Sequence, residues 1–153
     1  MQLLRECGFD HNPSLTTDRQ RPGRWVFEVY THTAQVVLFG LPQIIKYKKG
    51  RVAQRRAGLQ TLRNYIRTCF TVGTPPLKED NNLGTFLERD LDDLKGHSLK
   101  AYEDALDGLV CAYLSAFYWF WGAERNEIIG DLKTGYIINP TSSLCQAIYP
   151  ERG

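Results

Sequence analysis

The chain has 153 residues, 42% of them hydrophobic and 24% charged, with a formal net charge of +2. That length supports one domain with a core of its own, taken here as residues 1–153, and the composition excludes whole-chain disorder. The charge is segregated: residues 29–78 hold nine Lys or Arg and no acid, whereas residues 79–107 hold nine acids and three bases. A basic surface near an acidic one is expected, and the first could attract a polyanion; the plainer alternative is two solvated helix faces.

Residues 1–24 read as irregular, broken by Pro13, Pro22 and Gly23, with turn-like Asn12, Ser14, Thr16 and Thr17. The opening MQLLRECGFD lacks the apolar run of a leader. WVFEVY, residues 25–30, is β-branched and aromatic and predicts a strand, apolar on both faces as a central strand would be. Glu28 is the exception within it. Thr31 is placed to cap a helix over residues 32–39, which Gly40 stops. A second helix over residues 51–68 is amphipathic, with Val52, Leu59, Leu62 and Ile66 on one face and Arg56, Arg63 and Arg67 on another.

TVGTPPLKEDNN reads as a loop. Residues 85–94 predict a short acidic helix broken by Gly96, and Ser98 is placed to cap a long helix ending at Trp121. Its uncharged stretch, residues 108–123, is shorter than the roughly 20 residues of a membrane span and reads as a buried core helix. EIIGD and GYIIN predict a hairpin with its turn at residues 132–135. The expected class is α/β, mostly helical, with one central strand and a C-terminal hairpin. One strand cannot make a sheet, so either part of the sheet is missing or a second chain completes it at the exposed edge.

Cys7, Cys69, Cys111 and Cys145 stand at no metal-motif spacing. They read as reduced thiols of a cytoplasmic protein and not as a disulfide or zinc framework. Asp104 and Asp107 lie at i and i+3, so they share a helix face where the surroundings turn apolar. Two readings stand. The pair, with Glu28, binds Mg²⁺ or Mn²⁺ through hard oxygen ligands. Alternatively, Glu103 and Asp104 decorate a solvated first turn favoured by the helix dipole, and Glu28 meets an arginine. KYKKGRVAQRR, residues 46–56, places Lys46, Lys48, Lys49, Arg51, Arg55 and Arg56 around Tyr47, with Tyr65 and Phe70 following. Such cations neutralise phosphates and such rings can stack on unpaired bases.

EVYTHTAQVVLFGL, IKYKKGRVAQRRAGLQTLRNYI and YEDALDGLVCAYLSAFYW with GDLKTGYIINP together resemble domain-of-unknown-function family 429, whose members are described as predicted ribonuclease H-like nucleases. The resemblance spans about residues 8–140. It implies a ribonuclease H-like α/β fold and a carboxylate cluster holding Mg or Mn for phosphodiester hydrolysis. It places Glu28, Asp104 and Asp107 as catalytic metal ligands, with Glu103 at the first acid of the helix motif. Thr31 replaces the usual proline and Gly108 the usual alanine. The resemblance also implies that residue 1 falls about halfway through a typical member, without the first sheet strands and their aspartate, for which Asp10 and Asp18 are poor substitutes. The expected activity is therefore weak or absent. The alternatives are a self-associating or partner-binding module, and a metal-independent nucleic-acid binder using the basic stretch. No membrane partner is expected.

Overall fold

The computed structural model describes residues 2–12 and 23–145. Pro13, Ser14, Thr16, Thr17, Asp18 and Pro22, and the end of the tail beyond Cys145, lie outside the described residues. The chain is α/β and mostly helical. In order it forms α1 (Gln2–Glu6), β1 (Phe9–Asp10), β2 (Arg24–Trp25), α2 (Thr31–Phe39), α3 (Val52–Tyr65), a π turn (Ile66–Phe70), α4 (Asn81–Glu88), α5 (Gly96–Trp121), β3 (Asn126–Asp131) and β4 (Gly135–Pro140).

The predicted central strand is shorter than its composition suggests. Only Arg24 and Trp25 form a ladder, parallel to Phe9 and Asp10. Beyond it the backbone keeps single bonds: the Val26 N–H donates to the Asp10 carbonyl (2.9 Å) and the Ile138 N–H to the Glu28 carbonyl (2.9 Å). A ladder needs a neighbour along its whole length, and residues 26–30 have contacts at isolated points instead. The start of the chain is also more ordered than expected, since α1 and β1 fall within it.

The helices follow their apolar periodicity. α2 starts one residue before the expected position. Tyr30 is its N-cap without a side-chain cap bond, so Thr31 caps nothing. Gly40 ends the helix in the left-handed conformation (φ 63°), its N–H reaching the Val36 and Val37 carbonyls, a conformation that favours glycine. On α3, Leu59, Leu62 and Ile66 are buried as predicted, but Val52 is exposed. Arg63, expected on the polar face, is buried with its guanidinium clasping the Arg89 carbonyl (2.5 Å). α4 is earlier than the predicted acidic helix and is capped by Asp80, whose carboxylate accepts the Leu83 N–H (2.8 Å). α5 begins at Gly96; Ser98 sits in its first turn and accepts the Lys95 N–H (3.1 Å).

α5 carries the core. Leu99, Tyr102, Leu106, Val110, Tyr113, Leu114 and Phe117 form its buried stripe against Leu59, Leu62, Ile66 and Phe70 of α3 and the π turn, and against Ala34, Leu38 and Phe39 of α2. Each fully buried large side chain contributes about 1.5–3 kcal/mol of transfer free energy. Phe70 stacks on Tyr113 at 3.7 Å between centroids and Phe39 lies against both Tyr65 and Phe70, so the rings expected to be available in this region belong to the core. Among the described residues no helix is long and apolar enough to cross a membrane.

The hairpin forms as predicted, antiparallel with Ile128 opposite Ile138. Asp131 shapes its turn, accepting from the Lys133 and Thr134 N–H groups at 2.7 Å each. These donors hold its carboxyl below the usual value. One reading is corrected outright: Cys69 and Cys145 are joined as a disulfide with Cα atoms 5.5 Å apart, leaving Cys7 and Cys111 free. Seventy-six residues separate the two cysteines, so no local spacing announced them. The bond ties the segment after β4 to the π turn. There the Leu144 N–H also reaches the Leu38 carbonyl (2.8 Å).

Candidate functional site

The apolar stripe of α5 contains one acid. Glu103 lies between Leu99 and Leu106 in the helical repeat and is 1% exposed. Asp107, one turn further, is half-buried. At i and i+4 the two face the same side, and α3, the segment before it and Lys100 of α5 itself supply their partners. Arg55 donates to Glu103 Oε2 (2.9 Å) and Lys100 to Oε1 (2.8 Å). Lys48 pairs with Asp107 Oδ2 (2.7 Å), and the Tyr47 hydroxyl donates to Oδ1 (2.7 Å). The basic stretch and the acidic helix are thus folded against each other.

Tyr47 is the link. It is fully buried, its hydroxyl accepts from Gln35 Nε2 (3.0 Å), and its ring stacks on His32 (5.3 Å, 4°). Burial, and then the bond to Asp107, push its pKa up, so it stays a neutral donor. His32 is shifted the other way, its pKa lowered first by burial and then by Lys48. The Lys100 ammonium is strengthened by Asp104 and then Glu103. Burial, and then Asp107, raise the Cys111 thiol above its ordinary value, consistent with a packing thiol. Gln35 Oε1 and His32 Nδ1 are buried with no hydrogen-bond partner among the described residues.

The predicted ligands are not gathered. Glu28 is exposed, on the extended segment beside β4. Asp104 points outward, its side chain 59% exposed and paired with Lys100 at 2.6 Å. Only Asp107 reaches the cluster, and its companion there is Glu103. The position of Glu103 within the 3–4 repeat of buried residues on α5 was the signal that could have found it. Asp10, on β1, has its carboxylate occupied by the Asn12 N–H (2.9 Å).

As folded, this donor set does not fit a divalent ion. Both oxygens of Glu103 and both of Asp107 are taken by cations or a hydroxyl. Lys48, Arg55 and Lys100 match the charge of Glu103, Asp104 and Asp107. Among the described residues no group of three or more His, Cys, Asp or Glu is placed to hold a metal. A hard cation needs uncommitted oxygens and surplus negative charge, so no step is derived through one.

The six predicted phosphate contacts divide. Lys48 and Arg55 are spent on the acids. Arg56 donates to the Leu94 and Asp92 carbonyls (both 2.6 Å) and stands 3.7 Å from the Asp92 carboxylate. Lys46, Lys49 and Arg51 are exposed and form no ion pair among the described residues. An open cleft of about 600 Å³ beside α3, lined by Arg56, Arg63, Arg89 and Asp92 among others, contains none of the predicted ligands. Compared with protein families, curated proteins and solved structures, the chain matches none.

Proposed function

We propose that the chain is a nucleic-acid-binding domain of the ribonuclease H-like nuclease class, with phosphodiester hydrolysis weak or absent as folded. One observation carries the reading. The inner cations of the basic stretch, Lys48 and Arg55, neutralise Asp107 and Glu103, while Lys46, Lys49 and Arg51 remain exposed on the same segment. Phosphates can replace water around the outer cations without breaking a buried pair. Binding of this kind is metal-independent and falls steeply with salt.

The test is fluorescence anisotropy with a labelled oligonucleotide across a salt series. The triple variant Lys46→Glu/Lys49→Glu/Arg51→Glu is expected to abolish binding, and unchanged binding would refute the reading. Incubation with Mg²⁺ or Mn²⁺ is expected to leave the oligonucleotide essentially intact. Clean metal-dependent cleavage, lost in Asp107→Asn, would show instead that the acids reorganise around a cation.

A second reading has its own support. Along β3, Glu127 to Asp131 are all exposed, including Ile128 and Ile129, and the strand pairs with β4 on one side. An uncovered edge of this kind can pair with a second copy. A dimer that survives dilution in light scattering, and that Ile129→Lys dissociates, is the expected result under that reading.

A further inference from the structure

We propose that Tyr30, His32 and Tyr47 form a stacking platform for an unpaired nucleobase, with Lys46 and Lys49 taking the flanking phosphates. The inference rests on the nucleic-acid reading above and narrows its ligand to a single strand.

The three rings make two successive stacked contacts. Tyr30 lies 5.6 Å from His32 at an interplanar angle of 28°, and His32 lies 5.3 Å from Tyr47 at 4°. Tyr47 at the inner end is fully buried and anchored by Gln35 and Asp107. Tyr30 at the outer end is 54% exposed. Its backbone is nonetheless fixed as the N-cap of α2, its carbonyl accepting the Ala34 N–H (3.1 Å) and the Thr33 hydroxyl (2.9 Å). One face of the Tyr30 ring is supported by His32 while much of the side chain meets water. A large ring held in this way has already lost most of the freedom that binding would cost.

The inner ring belongs to the basic stretch itself. Lys46 precedes Tyr47 and Lys49 follows two residues later, both exposed. The exposed lysines thus sit on the segment that carries the buried end of the stack, and a strand whose phosphates meet them can turn one base onto the Tyr30 end. A duplex keeps its bases stacked on one another and can offer only its phosphates. Every base has a π face, so such a platform tolerates any sequence. Of the rings expected to stack on bases, Tyr47 is buried at the inner end of this stack, and Tyr65 and Phe70 are packed against Phe39 in the core.

The test uses the whole chain and a labelled oligonucleotide of about 15 nucleotides, matched to the site sizes usual for such surfaces. It is presented single-stranded, as a duplex, and as an abasic strand, in DNA and in RNA. Tyr30→Leu keeps an apolar side chain at an exposed position, and Tyr30→Phe keeps the ring. Tyr30→Leu is expected to weaken single-strand binding by about 5- to 100-fold, as loss of one stacked base would. Duplex binding should not change, the abasic strand should bind wild type and Tyr30→Leu alike, and Tyr30→Phe should restore the affinity. A loss of this kind in either DNA or RNA supports the platform. Equal single-strand binding by wild type and Tyr30→Leu, with binding still destroyed by Lys46→Glu/Lys49→Glu, overturns the platform and leaves the backbone-binding reading standing. No binding of any strand by the wild type overturns both.

Discussion

Gly58 and Gly108 are both helical glycines, and alanine is expected to act oppositely at the two. On α5, a Cβ at Gly108 would meet nothing within 4 Å. The substitution there gains helix propensity, about 0.5–1 kcal/mol. On α3, a Cβ at Gly58 would overlap the Lys46 carbonyl oxygen, standing 2.8 Å from the Lys46 carbonyl carbon and 3.0 Å from Tyr47 Cα. An ordinary carbon–carbon contact is about 3.5–4.0 Å, so residues 46–47 would have to move outward by most of an ångström. These atoms are backbone and cannot rotate away. Arg55 also reaches the Tyr47 carbonyl at 3.4 Å, holding the same segment down. Overpacking of this kind costs about 1–3 kcal/mol and exceeds the propensity gain. The displacement would also draw the Tyr47 hydroxyl from Asp107. Urea unfolding should therefore place Gly58→Ala below Gly108→Ala by about 1–3 kcal/mol, the overpacking cost, since the propensity gain is common to both. A Gly58→Ala variant as stable as Gly108→Ala would refute the claim that the basic stretch is seated on α3.

Three further outcomes are expected. Glu103→Ala strands the Arg55 guanidinium in a largely buried site and should cost about 3–5 kcal/mol, whereas Asp104→Ala removes an exposed pair and should cost less than about 1 kcal/mol; urea midpoints decide, and equal losses would show that Glu103 is not the buried acid. Thiol titration of the chain denatured without reductant should count two sulfhydryls, Cys7 and Cys111, and reduction of Cys69–Cys145 should lower stability by about 2–4 kcal/mol; four titrating thiols without reductant would contradict the disulfide. Burial and Lys48 hold the His32 pKa below 6.5, so the unfolded chain takes up its proton first. Stability associated with His32 is present above about pH 6.5 and lost as the pH falls from there through its folded value. Midpoints at pH 7.5 and 5.5 should fall further apart in wild type than in His32→Phe, and equal differences would refute the lowered His32 pKa.

The functional picture turns on charge that is already spent. In a carboxylate cluster built for metal, the acids repel until a cation arrives. Here the cations are Lys48, Arg55 and Lys100, supplied by the chain. The Glu103 pair is the more buried, and breaking such a pair is costly because each partner would be left as an uncompensated charge. The acids therefore serve first to seat the basic stretch. The seating leaves Lys46, Lys49 and Tyr30 exposed, and these are the residues the proposed binding would use.

By itself the sequence determined α2, α3, α5 and the hairpin, though it missed α1, set α4 too late and did not show that α5 keeps an exposed face with Trp119 and Phe120 on it. The elements it determined were legible because an apolar repeat or a turn residue acts over a few positions. Leu59, Leu62 and Ile66 repeat at helical spacing, and Asp131 makes its turn with its own neighbours. The same locality explains the misses. Residues 25–30 have strand composition, but a strand exists only where another chain segment runs beside it, and that is not written in the segment itself. Only the tertiary structure decided that Cys145 meets Cys69, that Tyr47 meets Asp107 sixty residues away, and that Glu103 meets Arg55 at a separation of forty-eight. Periodicity tells which face of a helix is buried; the partner on the other side is chosen by how the elements pack. That choice separated the predicted ligands Glu28, Asp104 and Asp107, and paired Asp107 with Glu103 in a cluster neutralised by Lys48, Arg55 and Lys100.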